Sequence, residues 1–497
     1  MSRQSGILLH VSSLSGPEGI GTLGKEAFEF ADFLSRSGMQ LWQVLPMGPT
    51  GFGESPYQSS SMYAGNPLLI SLVTLREEGL VHFRDEDLSA AGSGPRVDFP
   101  SVREVHEQLL RKAYEESYAK ISSEIQAFRA RASWVDDFAL YTALKKHFDQ
   151  KAWNEWPRDI RMRRPDALQR YRNKLQTEID YHVFCQFLFE RQWNALQTHC
   201  HALGISLFGD MPIYVAQDSA DTWTNPKVFQ LDRNRAPRRV AGVPPDYFSE
   251  DGQLWGNPLY NWTYLRLTGY RWWLHRMSHM LNMYDIVRVD HFIGFANYYS
   301  IPYGSKNARN GKWVNAPGKS FFRKLKKYYP NARIVAEDLG VISDRVRSLI
   351  AYTGFPGMRV LVFGFGGESK DNIHHPSNWP ENAIGYTGTH DNDTVLGYLL
   401  RAPETERKSA MDALQFDQIK DGPCAFVRCV LASPVDTAVL AMQDLLGLNN
   451  DARMNLPGTV GGNWGYRMCP GDLTENLSAE LKQLNSENGR LSSHDES

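Results

Sequence analysis

The stretch that decides the fold is Ile286-Val287-Arg288-Val289-Asp290, an apolar run that ends in a carboxylate. β-branched residues favour an extended strand, and the two-residue side-chain period places Arg288 and Asp290 on one face. An arginine beside a carboxylate keeps the carboxylate ionised and fixes its orientation. The pattern therefore suits a nucleophilic carboxylate at the exit of a strand, and it also fits a structural ion pair.

Seven further short runs alternate with helical stretches along the chain. The runs are Gly6–Val11, Leu41–Leu45, Ile205–Asp210, Arg333–Glu337, Met358–Phe363, Ala383–Thr389 and Ala452–Asn455. Between the first two, Ala27, Phe30, Ala31 and Leu34 recur at the spacing of an amphipathic helix. Because alternation of strand and helix favours a parallel sheet, the sequence predicts an α/β protein with a TIM-type (β/α)8 barrel.

The gaps between the predicted strands are uneven, and two of them are long enough to hold insertions. Residues 53–203 follow the second strand with a mainly helical pattern, which predicts an inserted helical subdomain. Residues 213–283 follow the third strand, and their segment 243–260 is rich in Pro, Gly and aromatic residues. We interpret 243–260 as a loop, and 1–497 as a single catalytic chain built around the barrel.

The composition argues against several classes of protein. Lys plus Arg number 54 against 56 Asp plus Glu, and this balance lacks the basic footprint of a nucleic-acid-binding protein. The five cysteines have no metal-ligand spacing, and residues 1–10 do not resemble a signal peptide. No stretch reaches the roughly 18 apolar residues that a membrane helix requires. We expect a cytoplasmic protein with no cofactor, metal, nucleic-acid partner or membrane partner.

Two more predicted strands lead into acidic residues. Arg333–Glu337 delivers Glu337 to the exit of an apolar strand, where a raised pKa would suit a proton donor, although Glu337 could also cap the next helix. Residues 385–393 place His390 and Asp391 after small residues, which also fits an Asn/Asp-rich turn. Catalytic groups of barrel enzymes lie at the carboxyl ends of the strands, so these acids are expected to meet at one rim. Two carboxylates that flank a scissile bond are the minimum for glycoside chemistry.

The sequence resembles the 4-α-glucanotransferases, or amylomaltases, of glycoside hydrolase family 77, from Gly6 to about Arg467. The similar segments, besides the three acidic ones, are 42–46 (Trp-Gln-Val-Leu-Pro), 53–58 (Gly-Glu-Ser-Pro-Tyr-Gln), 64–67 (Ala-Gly-Asn-Pro), 209–213 (Gly-Asp-Met-Pro-Ile), 243–248 (Val-Pro-Pro-Asp-Tyr-Phe) and 252–258 (Gly-Gln-Leu-Trp-Gly-Asn-Pro). Any one of these motifs is weak, whereas all of them in order are specific.

The resemblance implies a barrel enzyme that transfers α-1,4-glucan segments through a covalent glucosyl-enzyme. It implies that Asp290 is the nucleophile, Glu337 the acid/base and Asp391 the transition-state stabiliser. The implied substrate-binding residues are Tyr57, Asp210, Tyr247, Gln253, Trp255, Arg288, His390 and Asn463. The implied substrates are maltooligosaccharides and starch or glycogen-type glucans, with the 4-hydroxyl of a glucan or of glucose as acceptor.

Three alternatives stay open at this point. The first is an α-glucan hydrolase of the α-amylase type, because it would share the same carboxylates. The second is a metal-dependent barrel hydrolase with His10, Asp290, His291, His390 and Asp391 as ligands, which the positive charge of Arg288 opposes. The third is a non-enzymatic glucan-binding scaffold, which would have no need for three acids and an arginine.

Overall fold

The computed structural model describes residues 3–245, 250–340 and 342–491. Twelve strands lie within these ranges: β1 (Gln4–Leu8), β2 (Leu41–Gln43), β3 (Ser206–Pro212), β4 (Arg239–Val243), β5 (Gln253–Pro258), β6 (Ile286–Asp290), β7 (Asn297–Pro302), β8 (Lys312–Asn315), β9 (Arg333–Ala336), β10 (Gly357–Val360), β11 (Ala383–Tyr386) and β12 (Thr437–Ala441).

The same ranges contain nineteen α-helices. They are α1 (Lys25–Arg36), α2 (Leu72–Glu77), α3 (Asp85–Ser89), α4 (Phe99–Ser117), α5 (Ser122–Arg131), α6 (Val135–His147), α7 (Arg158–Arg161), α8 (Pro165–Lys174), α9 (Gln176–Ala202), α10 (Ala220–Thr224), α11 (Trp262–Leu267), α12 (Arg271–Met283), α13 (Gly318–Tyr328), α14 (Asp344–Thr353), α15 (Val395–Arg401), α16 (Glu404–Leu414), α17 (Gly422–Ala432), α18 (Met442–Leu445) and α19 (Glu475–Glu487). None of the helices described is long and apolar enough to cross a membrane.

Eight strands form one parallel sheet in the order β10-β11-β12-β1-β2-β3-β6-β9. The backbone N–H of Ala336, the last residue of β9, donates to the carbonyl of Pro356, just before β10, at 2.9 Å. This hydrogen bond brings the two edge strands together, so the sheet forms a nearly closed barrel. Strands β11 and β12 are buried along their whole length, as parallel strands covered by helices must be. The predicted (β/α)8 barrel is confirmed.

One of the eight predicted strands is wrong. Ala452 ends a 3-10 helix, Asn450–Ala452, and the residues up to Asn455 form no strand. The eighth barrel strand is instead β12, which pairs in parallel with β1 and β11. Because β12 follows the apolar helix α17 after four residues, hydrophobic periodicity alone does not separate this strand from the helix before it.

The helices α2 to α9 all lie between β2 and β3, in the segment whose pattern predicts helices. The longest, α9, packs against α1 beside the barrel and against α4, α5 and α6. A buried glutamine of α9, Gln186, donates to the carbonyl of Gly65 at 2.9 Å and accepts from its N–H at 2.8 Å. These two hydrogen bonds link the helical segment to the residues that follow β2.

A second sheet with antiparallel strand order β5-β4-β7-β8 stands beside the barrel. Its strand β5 lies within 243–260, so the interpretation of that whole segment as a loop is wrong. Pairing of Val243 with Gln253 and of Gly242 with Leu254 gives these residues an extended conformation. The Pro and Gly content of this segment does not indicate an extended conformation, because that conformation depends on pairing with another strand.

Candidate active site

Asp290 and Glu337 lie side by side at the carboxyl-terminal rim of the barrel. Strands β6 and β9 are parallel neighbours, and Val289 is in register with Ala336. Asp290 and Glu337 follow those two residues, on strands that are about 4.8 Å apart. The backbone N–H of Glu337 donates to the carbonyl of Val289 at 3.1 Å, which continues the pairing past the end of β9. The two acids predicted from separate strands are therefore brought together.

The carboxyl group of Glu337 is held by two backbone donors. His291 donates from its N–H at 2.6 Å, and Leu339 donates from its N–H at 2.7 Å. His291 has a left-handed backbone conformation, with φ 49° and ψ 47°, which few residues other than glycine adopt. β6 ends at Asp290. The next residue, His291, has this left-handed conformation, and its N–H donates the hydrogen bond to the carboxyl group of Glu337. The Glu337 carboxyl group is thus fixed to the backbone that carries Asp290.

The two carboxyl groups differ in their electrostatic environment. Glu337 is only 7% exposed, and burial raises its pKa from 4.5 to about 8, with a further increase from the charge of Asp290. Arg288 and the two backbone donors oppose this rise without cancelling it. Asp290 is 27% exposed and accepts a hydrogen bond from Nη2 of Arg288 at 2.9 Å. Glu337 is therefore suited to hold a proton at neutral pH, whereas Asp290 is paired with the positive charge of Arg288.

Arg288 connects Asp290 to a second, fully buried carboxylate. Its Nη1 donates to Oδ2 of Asp210, which lies opposite Arg288 in the register of β3 and β6. The same Oδ2 accepts the hydroxyl of Tyr57 at 2.7 Å. Nε of Arg288 points to the sulfur of Met358 at 3.4 Å. A continuous chain of contacts therefore runs from Tyr57 through Asp210 and Arg288 to Asp290.

An aromatic cluster lies beside this chain of contacts. The ring of Tyr57 stacks on His390, with 5.2 Å between centroids and 15° between planes. Trp464 closes the cluster at 5.8 Å from Tyr57 and 6.0 Å from His390. Nε2 of His390 lies 3.4 Å from Oδ1 of Asp391. Aromatic rings beside carboxylates provide the apolar faces and polar edges that a sugar ring requires.

Of the remaining predicted positions, Gln253 and Trp255 lie on β5, and Asn463 lies in the loop before Trp464. The ring of Trp255 contacts the ring of His291 edge-on at 4.8 Å, and its Nε1 donates to Oε1 of Gln253 at 3.0 Å. Asn463 uses its side chain inside its own loop, where Oδ1 accepts from the N–H of Leu456 at 3.0 Å. Tyr247 is also predicted to contact substrate and lies outside the described residues.

Two site residues have no counterpart in the sequence analysis. Asn455 donates from Nδ2 to Oδ1 of Asp391 at 2.6 Å. Arg453 donates from Nη2 to the carbonyl of Asp391 at 2.7 Å and pairs with Asp393 through Nη1. Both lie within residues 452–455, which the sequence pattern wrongly predicts as the eighth strand, and no motif marks them. Only their position in space assigns them to the site.

The alternative of a metal site requires five side chains to converge, namely His10, Asp290, His291, His390 and Asp391. Across residues 3–245, 250–340 and 342–491, no group of three or more His, Cys, Asp or Glu side chains has the arrangement of a metal site. His291 packs on Trp255 instead, and burial lowers its pKa to about 4. Arg288 occupies the space beside Asp290 with a positive charge.

A parallel barrel with an arginine-paired carboxylate beside a buried carboxyl group of raised pKa defines a class of protein, the barrel enzymes that act on glycosidic bonds. The sequence profile of one family, 4-alpha-glucanotransferase, matches residues 9–474. The chain belongs to this 4-alpha-glucanotransferase family, glycoside hydrolase family 77.

Individual relatives agree with this assignment. The chain is 44% identical to the 4-alpha-glucanotransferase of Synechocystis sp. over 99% of both chains. It is 42% identical to that of Thermus thermophilus, over 99% of this chain and 100% of the relative. Amylomaltase from Streptococcus agalactiae, solved in complex with acarbose, superposes with a TM-score of 0.95 at 40% identity, over 99% of this chain and 100% of that one. The chain is accordingly a transferase, and neither an α-amylase-type hydrolase nor a non-enzymatic scaffold is favoured.

Proposed function

We propose that the chain exchanges glucan segments by two successive displacements at Asp290. Oδ of Asp290 attacks the anomeric carbon while the glycosidic C–O bond breaks, and Glu337 gives its proton to the departing 4-oxygen. The 4-hydroxyl of an acceptor then attacks the glucosyl-enzyme, its proton goes to Glu337, and the bond to Asp290 breaks. One observation carries the proposal: at the ends of the neighbouring strands β6 and β9, Asp290 is paired with Arg288, while burial raises the pKa of Glu337.

The substrate-binding roles follow from the same contacts. We propose that Asp391 stabilises the positive charge that develops on the sugar ring, and that His390, Tyr57 and Asp210 bind this sugar. Arg288 orients Asp290, because its guanidinium group contacts both Asp290 and Asp210. A preorganised set of charges of this kind costs little reorganisation at the moment of reaction.

The acceptor side is proposed to involve the second insertion and the loop before Trp464. The ring of Trp255 lies beside His291, the residue that follows Asp290. Nε1 of Trp255 also donates a hydrogen bond to the side chain of Gln253. With Tyr247 and Asn463, these residues would bind the incoming glucan and exclude water, so that transfer outcompetes hydrolysis. Residues 53–203 are proposed to act as a subdomain that supplies Tyr57, and residues 213–283 as the insertion that supplies Trp255.

The proposed donors are maltooligosaccharides and starch or glycogen-type glucans, and the proposed acceptors are glucans or glucose. The proposed place of action is the cytoplasm, which fractionation of cells that express the full chain would test. We expect that the reaction requires no cofactor, metal or nucleic-acid partner. Activity should therefore persist after treatment with a chelator.

The decisive experiment is a product ladder from maltotriose. Transfer gives glucose together with chains longer than the donor, whereas hydrolysis gives shorter sugars and new reducing ends. Asp290→Asn and Glu337→Gln should each abolish the ladder while the variants remain folded by circular dichroism. If Asp290→Asn produces the ladder at the parent rate, Asp290 is not the nucleophile and the proposed mechanism is wrong.

A further inference from the structure

Arg276 of α12 is a buried cation close to the active site that the mechanism does not use. Its side chain is fully packed, and the residue is 2% exposed. Its guanidinium group stacks over the ring of Trp273 at 5.0 Å. The charge of Arg276 opposes the rise that burial causes in the pKa of buried Asp221, although no ion pair within 4.0 Å joins the two described side chains. A buried charge that lacks a direct ion pair is costly to bury, so the groups to which Arg276 donates hydrogen bonds matter for its role.

The guanidinium group binds the backbone at the end of β3. Nη1 donates to the carbonyl of Ile213 at 3.0 Å, and Nη2 donates to the carbonyl of Pro212. The hydroxyl of Tyr260 donates to the same Ile213 carbonyl at 2.7 Å, and it accepts from Nη1 of Arg276 at 3.2 Å. Two successive carbonyl groups at the rim are thereby held by one planar fork of donors.

These carbonyl groups belong to the strand next to the proposed nucleophile. Pro212 is in register with Asp290, and Asp210 is in register with Arg288. Asp210 in turn contacts the guanidinium group of Arg288. The end of β3 therefore determines where Arg288 stands, and Arg288 determines where the carboxylate of Asp290 points.

We propose that Arg276 is a positioning residue for the nucleophile. It fixes the last residues of β3, so that Asp210 holds Arg288 against Asp290 in the attacking geometry. The inference rests on the proposed function, because it assumes that Asp290 is the nucleophile. Lysine keeps the charge but lacks the fork that reaches two carbonyl groups, so Arg276→Lys should not substitute for arginine.

The test compares three variants with a matched control. Arg276→Lys and Arg276→Met remove the fork, and Tyr260→Phe removes one of the two donors to Ile213. The control is Arg490→Lys, because Arg490 is also buried and donates to backbone carbonyl groups. Its partners include Leu431 at 2.7 Å and Gln4 at 2.9 Å, and Gln4 is at the opposite end of the barrel strands. The control measures what the loss of a buried arginine does to folding alone.

The readout is the turnover of two donors, maltotriose and α-maltosyl fluoride, per folded enzyme. Fluoride leaves without a proton from Glu337, so the initial release of fluoride, measured beside turnover, reports on the nucleophile and not on the acid. Both Arg276 variants should lower kcat about tenfold or more with both donors, because small misplacements of reacting groups are costly. KM should stay within about threefold, Tyr260→Phe should show a smaller loss, and Arg490→Lys should lower only the melting temperature.

Three results would overturn the proposal. The first is kcat of Arg276→Lys within about twofold of the parent. The second is a change in the KM of the Arg276 variants with no change in kcat. The third is a loss of kcat with maltotriose but not with the fluoride donor, which would place the effect at Glu337. Asp290→Asn separates this inference from the proposed function. If Asp290→Asn remains active with the fluoride donor, the proposed function fails; if it is inactive and Arg276→Lys is unaffected, only the inference fails.

Discussion

Glu337 is expected to act as a proton donor over an unusually wide pH range. Burial, and then the charge of Asp290, raise its pKa from 4.5 to about 8. With that pKa about 90% of Glu337 is protonated at pH 7, whereas with a pKa of 4.5 only about 0.3% would be. The environment therefore increases the population of the proton-donating form roughly three-hundredfold at this pH.

The predicted consequence is a pH profile with a late alkaline decline. In the proposed mechanism the protonated form of Glu337 breaks the natural glycosidic bond, so activity should be lost as pH rises through about 8. For maltotriose, kcat/KM should fall above this pH, because kcat/KM reports ionisations of the free enzyme. With α-maltosyl fluoride, whose leaving group needs no proton, the same decline should be absent from the first step.

Glu337→Gln is the perturbation that tests the assignment. It keeps the size of the side chain and removes the proton, and the expected loss of kcat/KM with maltotriose is about a thousandfold. The loss of fluoride release from α-maltosyl fluoride should be much smaller. Glu18→Gln is a matched control, because Glu18 is also buried and its pKa is raised to about 7 by burial. The reasoning is refuted if Glu337→Gln retains a decline near pH 8 with maltotriose, or if Glu18→Gln removes it.

Three further predictions concern single side chains. Tyr57→Phe removes a donor to the buried Asp210, a loss of about 1–3 kcal/mol, and should lower kcat/KM for maltotriose roughly tenfold to a hundredfold; unchanged kinetics would show that this bond is unimportant. Asn455→Ala should lower kcat roughly tenfold with little change in KM, because Asp391 loses its 2.6 Å partner but is 44% exposed; an effect on KM alone would contradict this role. Glu18→Gln should be more stable than the parent at pH 8, with a smaller difference near pH 5. The raised pKa of Glu18 gives stability that is present below 4.5 and lost as pH rises through about 7; equal pH dependence of the melting temperatures would disprove it.

The fold could be predicted largely because most barrel strands have clear boundaries in the sequence. β6 is a short, mainly apolar run that ends in Asp290, β9 is followed directly by Glu337, and the bounds of both agree with prediction to within a residue. β12 could not be found by the same reasoning, because it is an apolar run close behind the apolar helix α17. β5 is a strand only through its pairing with β4, and pairing between distant segments leaves no local pattern in the sequence.

The candidate site was predictable to a similar degree. Arg288 and Asp290 are two residues apart on one strand, so their pairing follows from the strand period. The contact of Tyr57 with Asp210 joins residues 153 positions apart, and no sequence pattern predicts it, because the family resemblance implies only that each residue binds substrate. Asn455, Arg453 and Arg276 lack even that indication. Their importance comes from what their donors reach in space, which a sequence pattern does not encode.

The hydrogen bond from the N–H of His291 to Glu337 has a consequence for how such an enzyme can change. The donor, His291, directly follows Asp290, so a single backbone N–H links the chain at Asp290 to the carboxyl group of Glu337. A shift of the chain at this point would carry both groups in the same direction and preserve the gap between them. In the proposed mechanism, sequence changes in the surrounding loops would therefore leave the spacing between Asp290 and Glu337 unchanged.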